Sequence, residues 1–212
     1  MTRRLLPAAR LLFALAAVGA VAVNLVLNLA DPHFDVVNFF SFFTIWSNLF
    51  AAAVLTYAAL GNRRGPRLDH LRGASVVFLA LTGTVDYLLL SRGAHYAGLP
   101  GAVQFTLHRL LPVAAVMDWA IDPPRSPVRW RDAAAWLGVP LFFAAYSIAR
   151  GAVTGWHPYG FFDPGAVGGY AGVAGWVAWI SVGVLVIAGL VAGVGNLGRR
   201  VVRSRATALA VR

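Results

Sequence analysis

Cysteine, lysine and glutamate are all absent from the 212 residues: the eighteen basic side chains are all arginine and the eight acidic ones all aspartate. Without cysteine the chain has no disulfide, no thiolate nucleophile and no cysteine metal site. Charge of either sign is scarce at 12% of residues, against 59% hydrophobic residues and a mean hydropathy of +0.69, which excludes an ordinary soluble domain. The composition is that of an integral membrane protein. A net charge of +10 would suit a nucleic-acid partner, but the placement of the arginines argues against one. Fifteen of them precede the first apolar run, follow the sixth, or lie in the connections between the second and third and between the fourth and fifth runs. The remaining connections hold only Arg92 and Arg150. Such alternation follows the positive-inside rule and predicts both termini in the cytoplasm.

Six apolar runs of spanning or near-spanning length are present, at about 11–29, 36–60, 74–90, 100–121, 133–149 and 171–194. They predict an all-α, polytopic, single-domain bundle of six transmembrane helices, with sequence neighbours antiparallel because the connections are short. The first run resembles a signal peptide at its start, but it continues to spanning length and the arginine phase requires it as a span. No repeat of the first three runs in the last three is evident, which weakens a transporter reading. Segment 61–73 and the tail after Gly198 read as solvated basic surface. The stretch 150–170, rich in glycine, proline and aromatics, reads as an ordered outer cap.

The chain is organised around FFSFFTIWSNLF, residues 39–50, in which Asn38, Ser41, Thr44 and Asn48 follow at helical steps among aromatics. In lipid such a stripe must face the bundle interior. Thr44 lies eight residues below the outer start of the second run and His108 eight below that of the fourth, each roughly 12 Å down at ~1.5 Å per residue. Asn24, Asn28, Asp86, Tyr87, Gln104, Arg109 and Tyr146 fall in the same outer half. A polar cavity closed toward the cytoplasm by apolar side chains is therefore expected. Taken singly, each residue has a plainer role. Thr44 would bond back to the carbonyl of Phe40, the asparagines would join helices, Asp86 and Arg109 would form a structural pair, and Asp118-Trp119 would be an interfacial anchor. His33, His70, His95 and His157 read as surface residues. Taken together, Thr44 and His108 suit nucleophilic catalysis, because a hydroxyl attacks only when a base removes its proton and neutral imidazole does so. Asn48 and Arg109 are candidates for stabilising an oxyanion, with Asp86, Tyr146 and Gln104 as further substrate contacts. Neither a metal nor a cofactor is indicated, since haem would need a second histidine well inside the membrane.

The stretch Phe43-Thr44-Ile45-Trp46-Ser47-Asn48, then His108 with Pro112 and Asp118-Trp119, then Trp156-His157-Pro158-Tyr159 and Asp163-Pro164 resemble one family over nearly the whole chain. It is the six-helix membrane family of the androgen-induced protein and the androgen-dependent TFPI-regulating protein, whose bacterial relatives are called Pr-six-Pr membrane proteins. One departure is His157, where an aromatic commonly precedes the Pro-Tyr pair. The resemblance implies an intramembrane threonine hydrolase with Thr44 as nucleophile and His108 as its partner. Its substrates would be fatty acid esters of hydroxy fatty acids, met in the phospholipid bilayer of a bacterial plasma membrane. Trp156, His157 and Tyr159 belong to the cap in this scheme. The alternative is a non-catalytic lipid- or small-molecule-binding protein, carrier or channel using the same cavity.

Overall fold

The computed structural model describes residues 2–61, 65–91 and 97–210, and every regular element among them is helical. The elements are α1 (Thr2–Asn28), α2 (Val36–Phe40), α3 (Phe43–Leu60), α4 (Pro66–Val85), α5 (Gly98–Phe105), α6 (Leu111–Ile121), α7 (Trp130–Ala134), α8 (Gly138–Thr154) and α9 (Tyr170–Ala210). A π-helical turn, Asp86–Leu90, prolongs α4, and another, Thr106–Leu110, joins α5 to α6. Five stretches are long and apolar enough to cross a bilayer: Leu5–Asn28, Phe43–Leu60, Pro66–Leu90, Trp130–Thr154 and Tyr170–Ser204. The helical unit 98–121 carries Gln104, His108, Arg109 and Asp118 and is not among these five.

The expected helix 36–60 is broken. Asp35 caps α2 by accepting from the Asn38 amide at 2.9 Å, and α2 ends after five residues at Ser41. Ser41 donates its hydroxyl to the carbonyl of Val37, and Phe42 is extended, at φ −88° and ψ 135°. A fresh helix therefore starts at Phe43. The other helices overrun their expected limits, because amphipathic ends such as Pro66–Gly73 pack inward once buried charges find partners.

α4 is the central helix, with Val76, Val77, Phe78 and Leu79 at 3% exposure or less. It packs on α3, α6 and α9, while α1 lies along α3 and the 98–121 unit. Edge-on ring pairs, Phe43–Phe143 at 5.1 Å and Trp46–Phe143 at 5.3 Å, hold α8 off α3.

At the arginine-rich end, the expectation of solvated charge on 61–73 is corrected. Arg72 and Asp69 are buried, as is Arg10 of α1. Asp118 accepts from Arg10 Nε at 2.6 Å and from Arg72 at 2.7 Å, and Asp122 binds Arg10 at 2.5 Å. Asp118 is thus a bridge between three helices. Trp119, at 1% exposure, is no interfacial anchor either: its indole donates to the Val191 carbonyl at 2.8 Å and lies beneath Arg72. Burial of this end is electrostatically consistent because each guanidinium meets a carboxylate.

Candidate functional site

The site is built where α3 starts, where the helix of His108 bulges, and where the 155–169 connection folds over both. Phe42 brings no side-chain cap to the α3 N-terminus. The exposed first-turn amides need an acceptor from elsewhere. Tyr159 supplies it: its hydroxyl oxygen accepts from the Phe43 amide at 3.1 Å, and its side chain lies beside Thr44 on the same cavity wall. Ser41, just before the break, accepts from the Tyr146 hydroxyl at 2.8 Å, since its own proton is given to Val37.

The bulge has a cause in the sequence. Pro112 has no N–H for the carbonyl of His108, four residues back, and its ring crowds that carbonyl. The backbone relaxes into the π turn Thr106–Leu110, and Arg109 Nη1 donates to the freed His108 oxygen at 3.0 Å. Gly83 of α4 lies against the same carbonyl, where a Cβ would come within 2.8 Å. Only glycine permits this approach.

His108 is buried and Thr44 half-buried, and Thr44 Oγ1 lies 3.2 Å from His108 Nε2. The other ring nitrogen, Nδ1, faces the Gln104 carbonyl at 3.2 Å. A carbonyl only accepts, so Nδ1 carries the proton and Nε2 presents its lone pair to the threonine hydroxyl. This is the polarity a general base requires. Thr44 does not bond back to Phe40, because the break removes the i−4 relation; the indole of Trp46 takes the Phe40 carbonyl at 2.6 Å.

A cavity of about 370 Å³ opens beside the pair. Asn24, Asn28, Thr44, Asp86, Gln104, His108 and Tyr159 all line it. The arrangement therefore assembles most of the polar side chains expected in the outer half. Burial pushes the Tyr159 phenol up to about 12, outweighing the amide of Phe43 that it accepts from, so it stays a neutral donor.

Other candidates take different positions. Asn48 is fully buried, and its amide donates to the carbonyls of Thr44 at 2.8 Å and Leu107 at 3.4 Å. It is a brace between the helices of Thr44 and His108, with no donor left for an oxyanion. Arg109 pairs with Asp86 at 2.9 Å, and its guanidinium lies over Tyr87 outside the cavity lining. Tyr146 holds the α2–α3 break instead of meeting the cavity. Trp156 lies under Arg150, whose guanidinium also donates to Asn38 at 2.6 Å. The ring of His157 packs on Gly151, 4.0 Å from Asp163. His33 is exposed, His70 packs on Trp136, and His95 lies outside the described residues. No group of three metal-ligating side chains occurs among the described residues.

Sequence reasoning placed Tyr159 in the cap over the site but missed its contact with the start of α3, and it missed Pro112 as the origin of the bulge. A proline four residues after a membrane histidine was the available signal for the second; the first had only the cap motif, which does not say what the tyrosine touches. Compared with family models, with curated proteins and with solved structures, the chain matches none.

Proposed function

We propose that the protein is an intramembrane threonine hydrolase of a lipid ester. The observation that carries this reading is Thr44 Oγ1 at 3.2 Å from His108 Nε2, with Nδ1 engaged by the Gln104 carbonyl. Thr44 Oγ1 attacks the ester carbonyl carbon while its proton passes to His108 Nε2. The carbonyl electron pair moves onto oxygen, to which the Tyr159 hydroxyl, beside Thr44 on the cavity wall, donates. Collapse expels the alcohol oxygen, which takes the proton from His108 and leaves an acyl ester on Thr44. Water, giving its proton to His108, then attacks that ester; the fatty acid departs and Thr44 regains its proton.

The motifs shared with the androgen-induced protein family support fatty acid esters of hydroxy fatty acids as the substrate and a bacterial plasma membrane as the setting. In this reading 98–121 is a sixth span, whose polar side chains are the site itself. The arginine distribution supports cytoplasmic termini and a site in the outer half. A chain without cysteine suits a direct check of this topology. An impermeant maleimide applied to intact cells should label a cysteine placed at Gly165 and not one at Ser204.

The function is tested by reacting purified protein with a fluorophosphonate probe and mapping the adduct by mass spectrometry. An adduct at Thr44 that disappears in His108→Ala is expected. A non-catalytic carrier using the same cavity would leave Thr44 unlabelled, and that result overturns the hydrolase reading.

A further inference from the structure

Thr44 and Tyr159 form a wall between two spaces. On one side is the polar cavity with His108; on the other is a slot bounded by α4, α8 and α9, whose lining includes Phe43, Val85, Phe143, Ala144 and Val177. The slot offers no free hydrogen-bonding group besides those of Thr44 and Tyr159. Thr82 Oγ1 is paired with Ser47 Oγ at 2.8 Å, and the Ser181 hydroxyl returns to the Val177 carbonyl at 2.7 Å. Water gains little in such a space, and an aliphatic chain gains burial.

We propose that this slot holds the acyl chain of the ester, and that Ala144 sets the chain length accepted; the proposal rests on the hydrolase reading above. An acyl carbon bonded to Thr44 Oγ1 stands at the head of the slot, so its hydrocarbon continues away from His108. The alcohol half and the attacking water then occupy the polar cavity. This division matches each half of an ester to the surface it contacts. Along α9 the lining runs from Val177 to Val184, roughly 10 Å at ~1.5 Å per residue, and the space of about 50 Å³ that it encloses takes the first few methylenes, the remainder of a longer chain passing out toward lipid. Two lining residues, Leu90 and Leu141, are exposed at 43% and 42%. On a surface facing lipid they mark where a chain slides in sideways and where the end of a longer chain leaves. Ala144 is buried on α8 beside Phe143 and lines the slot, so a larger side chain there would take up part of its space.

The test compares hydrolysis of 4-nitrophenyl butyrate and 4-nitrophenyl dodecanoate by the wild type and Ala144→Phe in nanodiscs. Butyrate turnover should stay within about twofold, while dodecanoate kcat/KM falls about tenfold or more. Equal loss on both esters by a folded variant, or no loss on either, overturns the proposal. Should Ala144→Phe fail to fold, Ser181→Leu adds bulk from α9 with the same expectation. A second arm needs no turnover: Thr44→Ala is irradiated with hexanoic acid carrying a terminal diazirine, and the adduct is mapped. Adducts at Leu81 or Val184 support the slot, whereas adducts confined to the outer faces of α1 and α9 overturn it. Slot adducts without ester hydrolysis by the wild type would sink the hydrolase reading and leave the slot's occupant standing.

Discussion

In the proposed hydrolase, Thr44, His108 and Tyr159 divide one reaction among a nucleophile, a base and a donor, and each removal has its own expected cost. Thr44→Ala and His108→Ala should each lower turnover by at least about a thousandfold, because neither partner acts alone. Tyr159→Phe should keep the Michaelis constant and lower kcat about a hundredfold, the scale of one lost oxyanion donor. Wild-type levels of steady-state turnover in Thr44→Ala or His108→Ala would remove the assignment. The pH profile follows from the same roles. Only neutral imidazole accepts the threonine proton, so the rate should rise as His108 deprotonates. It should then stay level up to pH 10, because Tyr159 holds its proton until about 12. A decline well below that pH would place a different acid in the site. Thr44 and His108 are legible in the sequence because polar side chains within apolar runs must find partners in the interior. Tyr159 is legible only as a cap residue; its contact with the start of α3 is not, since a tyrosine in a connection carries no register with the helix it caps.

Among the elements, the two π turns carry the opposed charges: Asp86 opens one, and Arg109 lies in the other, 2.9 Å away. The Arg109 guanidinium also holds the His108 carbonyl that Pro112 leaves without a donor. Asp86→Ala should therefore lower both melting temperature and activity. Adding Arg109→Leu should recover stability more than activity, with a coupling of roughly 0.5–3 kcal/mol in a double-mutant cycle. Additive losses would mean that the pair does not hold the helices. The shared depth of Thr44 and His108 is correctly read by counting residues, although the count crosses a break it does not reveal. Nothing in Phe40-Ser41-Phe42 is a strong helix breaker. The break is held by Tyr146 and Tyr159, more than a hundred residues away, and so escapes any local rule. The slot is harder still to read, because it is a space left by ring sizes on α3 and α8 and no residue marks it.

For the molecule as a whole, stability at the arginine-rich end depends on Asp118, which joins Arg10 of α1 to Arg72 of α4. Asp118→Asn leaves two buried guanidinium groups short of countercharge and should cost about 3–5 kcal/mol. The check is the melting temperature in detergent; a loss no larger than that of an exposed pair would show that the network is dispensable. Counting arginines groups Arg10 and Arg72 at one end of the bundle but says nothing of their depth. Both lie at that end, yet they are enclosed by aspartates and add nothing to the surface charge that the count attributes to them.

Because α3 begins only at Phe43, Thr44 is its second residue and lies at the positive end of an eighteen-residue helix dipole with no acidic cap. About half an elementary charge stands there, in surroundings that screen it poorly. What favours a transient oxyanion also favours a permanent one. The fatty acid that the proposed reaction releases is such an anion, and its carboxylate would belong at the position where it was formed. Strong competitive product inhibition should follow, with dodecanoic acid binding more tightly than dodecanol; equal inhibition constants for the two would show that the dipole does not reach the site. Turnover would then be governed by how fast the surrounding lipid draws the acid away.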